Sequence, residues 1–285
     1  MTQQASVGNG AAALLRVAAL QTTPTRGNVS QNLEQIASLT AEVPGAELII
    51  TPEMSVSGFS FRPDQVPRPI DVSDKRLSRL AKPGQTIGLG IVEANNGLKP
   101  YNSFVQVGAA RCVQRKLHLV SYEPWNEQEC YTEGADLVQA NLHGVQVATL
   151  ICNDAWHPVM PWLAAHAGAE VLIIPAASLG RRTEDEAAQT WLAILAHAAR
   201  TLQCYVVFAN RAGFEDGKPF WGGSRIIGPR GEVIAQADHK LGVISADLDI
   251  ASLRKLRKDV PLLRELRLDL VSKHVRRLHG SESLV

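Results

Sequence analysis

A chain of 285 residues, 45% hydrophobic and 20% charged, has the balance of a folded globular protein and excludes a largely disordered one. The formal net charge of +1, with Lys and Arg spread along the chain, excludes the electrostatic footprint of a protein that grips nucleic acid or an anionic membrane. Cys112, Cys130, Cys152 and Cys204 form no CxxC pair, so neither a zinc ribbon nor a disulfide framework is expected and thiols remain free for chemistry.

The opening MTQQASVGNGAAALL lacks the charged and apolar regions of a signal peptide, and no later run reaches membrane-spanning length. A cytoplasmic protein is expected, with residues 1–13 a flexible tail and 14–285 a single domain. LRVAALQTT then predicts a buried strand, NVSQNLEQIASLTAEV a helix with Leu33, Ile36 and Leu39 at helical spacing, and AELIITPE a second buried strand. A Pro-rich loop and a short helix near Lys75 lead to strands at TIGLGIVEA, NSFVQVG and RCVQRKLHL, and YEPWNEQECYTEG reads as a loop. The second half repeats the opening plan: strand GVQVATLIC, helix VMPWLAAHAGA, strand EVLIIPAA and helix EDEAAQTWLAILAHAARTLQ. CYVVFANRAG, GSRIIGPRG, EVIAQADH and LGVISADL follow as strands with glycine turns between them. Arg254, Lys255, Arg257 and Lys258 read as a solvated helix face, and the amphipathic end LLRELRLDLVSKHVRRL suits packing on the body or on a second subunit.

Three strand ends carry reactive side chains. In TLICNDAWHP a buried strand delivers Cys152 to its C-terminal end shortly before a helix, where a thiolate and an oxyanion are both favoured. Taken alone, Cys152 is better explained as a small core residue. Glu53 ends the strand AELIITP, and Lys116 ends CVQRK; separately they read as a loop carboxylate or helix cap and as a solvated cation. Together they supply a general base, a cation for a tetrahedral oxyanion, and a nucleophile. His118 offers an alternative Cys–His dyad, because two residues beyond Lys116 on a continuing strand it shares that face. No His and carboxylate cluster has metal-ligand spacing.

PEMSVSGF, QRKLHL and LICNDAWHP, in that order, resemble the three signatures of the nitrilase superfamily, the carbon–nitrogen hydrolases. The likeness runs from VAALQTTPTRGNVSQNL to PLLRELRLDLV. It implies an α/β fold, an αββα sandwich that pairs into an αββα-αββα homodimer or larger homo-oligomer, and a cofactor-free, metal-free site. It assigns Glu53 as general base, Lys116 as oxyanion-stabilising cation and Cys152 as nucleophile. A second glutamate before Gly134 is best matched by Glu127, with Glu129 the alternative. Asn153 stands where relatives carry an aromatic residue, and it would offer its backbone N–H to an oxyanion. Thr201 and Leu202 replace a Glu-Asn pair.

The activity implied is hydrolysis of a small-molecule amide or carbamoyl amide through a thioester, with nitrile hydrolysis or acyl transfer as alternatives on the same scaffold. No nucleic acid or membrane partner is expected. Phe59, Trp125, Tyr131, Trp156, His157 and Ser178 are the expected substrate pocket, with Asn153, Trp156 and His157 giving it polar character. The tryptophans and scarce acidic residues of the surrounding loops suit a modest, partly apolar substrate.

Overall fold

A computed structural model describes residues 14–180 and 184–280; the expected tail at 1–13 lies outside them. Strand β1 (Leu14–Gln21) shows how sequence alternation becomes layering. Leu15, Val17 and Ala19 face a second sheet, while Ala18 and Leu20 face helix α1 (Val29–Ala41), against Ile36 and Leu39. Asn28 starts that helix by accepting a hydrogen bond from the Gln31 N–H.

From α1 the chain returns as β2 (Leu48–Ile50), pairs in parallel with β1, and continues through α2 (Lys75–Ser78) to β3 (Thr86–Glu93), β4 (Tyr101–Gly108) and β5 (Cys112–Arg115). After α3 (Glu127–Cys130), the second sheet starts with β6 (Gln139–Leu142) and β7 (Val145–Thr149). It grows through α4 (Val159–His166), β8 (Val171–Ala176), α5 (Glu184–Thr201) and β9 (Tyr205–Asn210). A small hairpin, β10 (Ala212–Glu215) and β11 (Lys218–Trp221), precedes β12 (Arg225–Ile227) and β13 (Val233–Gln236). Finally β14 (Gly242–Asp249) crosses back to pair with β1, followed by α6 (Ile250–Asp259) and α7 (Leu268–Gly280).

The result is two six-stranded sheets, ordered β14-β1-β2-β3-β4-β5 and β13-β12-β9-β8-β7-β6. Each has three parallel strands at its heart, joined by crossover connections, with antiparallel strands at its flanks. One apolar cluster runs from the inner face of the first sheet through the second to α4 and α5. A separate cluster joins the first sheet to α1 and α2, giving helix, sheet, sheet, helix. Parallel β8 is buried on both faces, which explains the uninterrupted apolar run VLII.

Several local expectations are corrected. The segment read as a loop contains α3, and β6 and the β10–β11 hairpin were not foreseen. The basic face of α6 is not simply solvated: Arg254 pairs with Glu170 at 2.7 Å, and Arg257 donates to the carbonyl oxygens of Gln203 and Ala169. Helix α7 leaves Leu268, Leu270, Val275 and Leu278 exposed and so does not pack its apolar face on the body of this chain. Among the described residues, no helix is long and apolar enough to cross a membrane.

Candidate active site

Glu53 lies just beyond β2, where the chain crosses Gly90 of β3. A Cβ at Gly90 would sit 2.3 Å from the Met54 nitrogen and 2.5 Å from the Pro52 oxygen, so glycine there lets the loop lie flat on the sheet. Its carboxylate is buried and held on both oxygens. Oε1 accepts from Lys116 Nζ at 2.8 Å and Asn102 Nδ2 at 2.7 Å, and Oε2 accepts from the Ala177 N–H at 2.9 Å. That last donor follows β8, so Glu53 on one sheet is clamped by backbone from the other.

Lys116 sits one residue past β5, which ends at Arg115, and is 1% exposed. Its ammonium bridges Glu53 and Glu127, each at 2.8 Å. Burial works against its charge, but the Glu127 and Glu53 carboxylates outweigh this and hold its pKa well above the ordinary lysine value. Glu127 is fully buried at the start of α3, and its second oxygen accepts the Val120 N–H at 2.9 Å. Burial pushes its carboxyl up to about 7 against the pull of Lys116. Glu129 is exposed, so the cation takes Glu127.

Cys152 opens a 3-10 turn, Cys152–Trp156, three residues past β7. The α-helix starts at Val159 as expected, but burial and the neighbouring Glu53 carboxylate push the thiol pKa up, against the expected thiolate. Its backbone is left-handed at φ +46°, as it is at Met54 beside Glu53 and at Asn126 beside Glu127. Non-glycine residues held there carry roughly 1–3 kcal/mol of strain each, which gathers at functional sites.

Asp154 ties the cysteine turn to the lysine loop. Fully buried, it accepts from the backbone N–H groups of Ile151, Leu117 and His118 at 3.0, 3.1 and 2.8 Å. His118 Nδ1 also lies 3.1 Å from Asp154, and its ring stacks on His157 at 4.1 Å between centroids. Strand β5 ends before His118, removing the continuing strand on which the dyad geometry depended.

A cavity of about 40 Å³ opens at Cys152 between Trp125, Asn153, Trp156, Ser178 and Trp191. Trp125, Trp156 and Ser178 are among its lining residues, and Asn153 joins them while its side chain donates to the His118 carbonyl at 3.1 Å. Phe59 and Tyr131 do not line it; both are buried in an aromatic cluster with Phe61 and Phe220, because that loop folds inward. His157 is also outside the lining, drawn to His118 by stacking. Asn102, Asp154 and Trp191 were missed as site residues. A polar residue inside the apolar strand YNSFVQVG, and an acid two residues beyond the cysteine, were the available signals for the first two. Residues 181–183, just before α5, lie outside the described residues. Among the described residues, no group of three or more His, Cys, Asp or Glu is placed to hold a metal ion.

The carbon–nitrogen hydrolase family model matches residues 16–258. The chain belongs to this family. Relatives of this carbon–nitrogen hydrolase include the omega-amidase NIT2 of Xenopus tropicalis, 31% identical over 85% of this chain and 92% of that protein. The 2-oxoglutaramate amidase of Bacillus subtilis is 26% identical over 89% of this chain and 98% of its own length. In fold it resembles the carbon–nitrogen hydrolase of Helicobacter pylori G27, with a TM-score of 0.80 at 20% identity, covering 92% of this chain and 98% of that one. The amidase of Nesterenkonia sp. AN1, solved with acrylamide, superposes with a TM-score of 0.75 at 22% identity, covering 94% and 99%.

Proposed function

We propose that this carbon–nitrogen hydrolase is a small-molecule amidase working through a Cys152 thioester. The observation that carries this reading is Lys116 Nζ bridging two buried carboxylates at 2.8 Å, near enough to Cys152 for their charges to act on its thiol. Buried charges without structural need are costly, and their concentration beside a nucleophile points to chemistry. Amidase relatives along nearly the whole chain support the reaction class.

In this mechanism Glu53 takes the Cys152 proton as Sγ attacks the amide carbonyl, consistent with a thiol that rests protonated. Lys116 and the Asn153 N–H hold the oxyanion, and Glu53 passes its proton to the departing nitrogen. Water then attacks the thioester, giving up a proton to Glu53; cleavage of the carbon–sulfur bond releases the acid, and the thiol recovers its proton. Glu127 keeps Lys116 charged and in place. Asn102 and the Ala177 N–H fix the carboxylate of Glu53.

Ammonia release from amides, carbamoyl amines and nitriles tests this, with Cys152→Ala as control. Amide turnover lost in the variant supports the reading; undiminished release from the variant sinks it. Nitrile turnover without amide turnover would favour a nitrilase, and a product carrying an added amine would reveal acyl transfer.

We further place the enzyme in the cytoplasm as a homodimer. All four cysteines are unpaired, as suits a reducing compartment. An apolar groove between α4, α5 and the C-terminal segment, lined by Trp162, Ile194, Leu262 and Leu266, suits a second subunit. Light scattering tests the assembly.

A further inference from the structure

We infer that the enzyme selects amides of short, uncharged acyl groups and turns away amides whose acyl part carries a carboxylate. This rests on the amidase reading and names its substrate class. The wall over Cys152 is built from two edge-on aromatic pairs, Tyr122 with Trp125 at 5.7 Å and Trp156 with Trp191 at 5.6 Å, completed by Val120 and Leu179. Trp191 is fixed from behind: its Nε1 donates to Ser178 Oγ at 2.9 Å, and its ring packs on Phe208 at 4.7 Å. That back wall does not recede to admit a long chain.

Ser178, Asn153 and Thr190 of the wall are already engaged by the protein. Ser178 donates its N–H to Asn210 and accepts from Trp191, Asn153 donates to the His118 carbonyl, and Thr190 donates to the Glu186 carbonyl. No Lys, Arg or His stands among the described residues that line the cavity. A carboxylate brought in would lose its water and find no cation among the described lining residues to offset that loss. It would also approach Glu53 and Glu127, whose two carboxylates face a single Lys116 ammonium. The free space is about 40 Å³, only a few times the volume a single water requires, so the acyl group is a short one.

Butyramide and succinamate are matched in length and differ in a terminal methyl against a carboxylate, so they isolate charge; hexanamide isolates length. Ammonia release by the full-length enzyme should give butyramide a kcat/KM about 100-fold above that of succinamate, as expected when a buried polar group goes unpaired. Hexanamide should fall below butyramide, and Trp156→Ala should raise the hexanamide-to-butyramide ratio about tenfold by opening the outer wall. Thr190→Arg should raise the succinamate-to-butyramide ratio by supplying the missing cation. Succinamate turned over as well as butyramide overturns the inference while leaving the amidase reading intact. A succinamate preference abolished by Arg181→Ala or Arg182→Ala overturns it too, and assigns the carboxylate to that segment. Failure of every amide overturns both.

Discussion

The two sheets contribute to the site by different means. The first supplies buried charge: Glu53 beyond β2, Lys116 beyond β5 and Glu127 in the turn that follows, all held by side-chain hydrogen bonds. The second supplies backbone geometry: the left-handed Cys152 beyond β7 and the Ala177 N–H beyond β8. The contrast teaches that substitutions on the first side act mainly through unpaired charge, and those on the second through conformation. Asp154 is the link, with its carboxylate on Ile151 just beyond one sheet and on Leu117 and His118 beyond the other.

The largest expected effect falls on the charged side. Lys116→Met strands two buried carboxylates beside each other and should destabilise the fold by about 3–5 kcal/mol in denaturant unfolding. Adding Glu127→Gln should recover part of that loss; no recovery would mean that the charge pairing is not what holds this corner.

A pH dependence follows from Glu127. Its carboxyl is raised from 4.5 to about 7, so its stabilising contribution is fully present below 4.5 and is lost as pH rises through 7. Thermal unfolding between pH 5 and pH 8 should therefore show wild type losing stability relative to Glu127→Gln. Parallel curves for the two proteins would contradict the assignment.

On the backbone side, Cys152→Gly and Cys152→Ala should both abolish turnover, yet the glycine variant should be more stable by about 1 kcal/mol, because only alanine retains a Cβ at positive φ. Equal unfolding midpoints would show that the left-handed turn carries no strain. The smallest effect is expected away from both sides. Arg254→Ala removes a partly exposed guanidinium from the buried Glu170 carboxylate, which keeps its hydrogen bond from the Gln146 N–H, and should change stability by roughly 1 kcal/mol, without altering kcat/KM.

The sequence carried the layered α/β plan because its signals are local. Alternation in LRVAALQ set the two faces of β1, and the uniform apolar run VLII marked a strand buried between layers. The candidate reactive side chains were legible for a similar reason: Glu53 and Cys152 each follow an apolar run, Lys116 follows the short strand CVQR, and the signatures around them match a family pattern. Short elements were not legible. A single helical turn such as α3 and a four-residue strand such as β6 owe their form to tertiary contacts, which override weak propensity over so few residues.

What the sequence determined by itself was therefore the order of the longer strands and helices and three candidate reactive side chains. Only the tertiary structure decided how they are held. The choice of Glu127 over Glu129, the Asn102 and Ala177 donors on Glu53, and the Asp154 tie depend on groups brought together from distant parts of the chain. The pocket was decided there as well: the inward fold of the loop at Phe59 and the stacking of His157 on His118 withdrew expected walls, and Trp191 of α5 closed the cavity in their place. Spacing along a strand says which face a side chain takes, whereas the partner it meets is set by packing between elements that the local pattern does not encode.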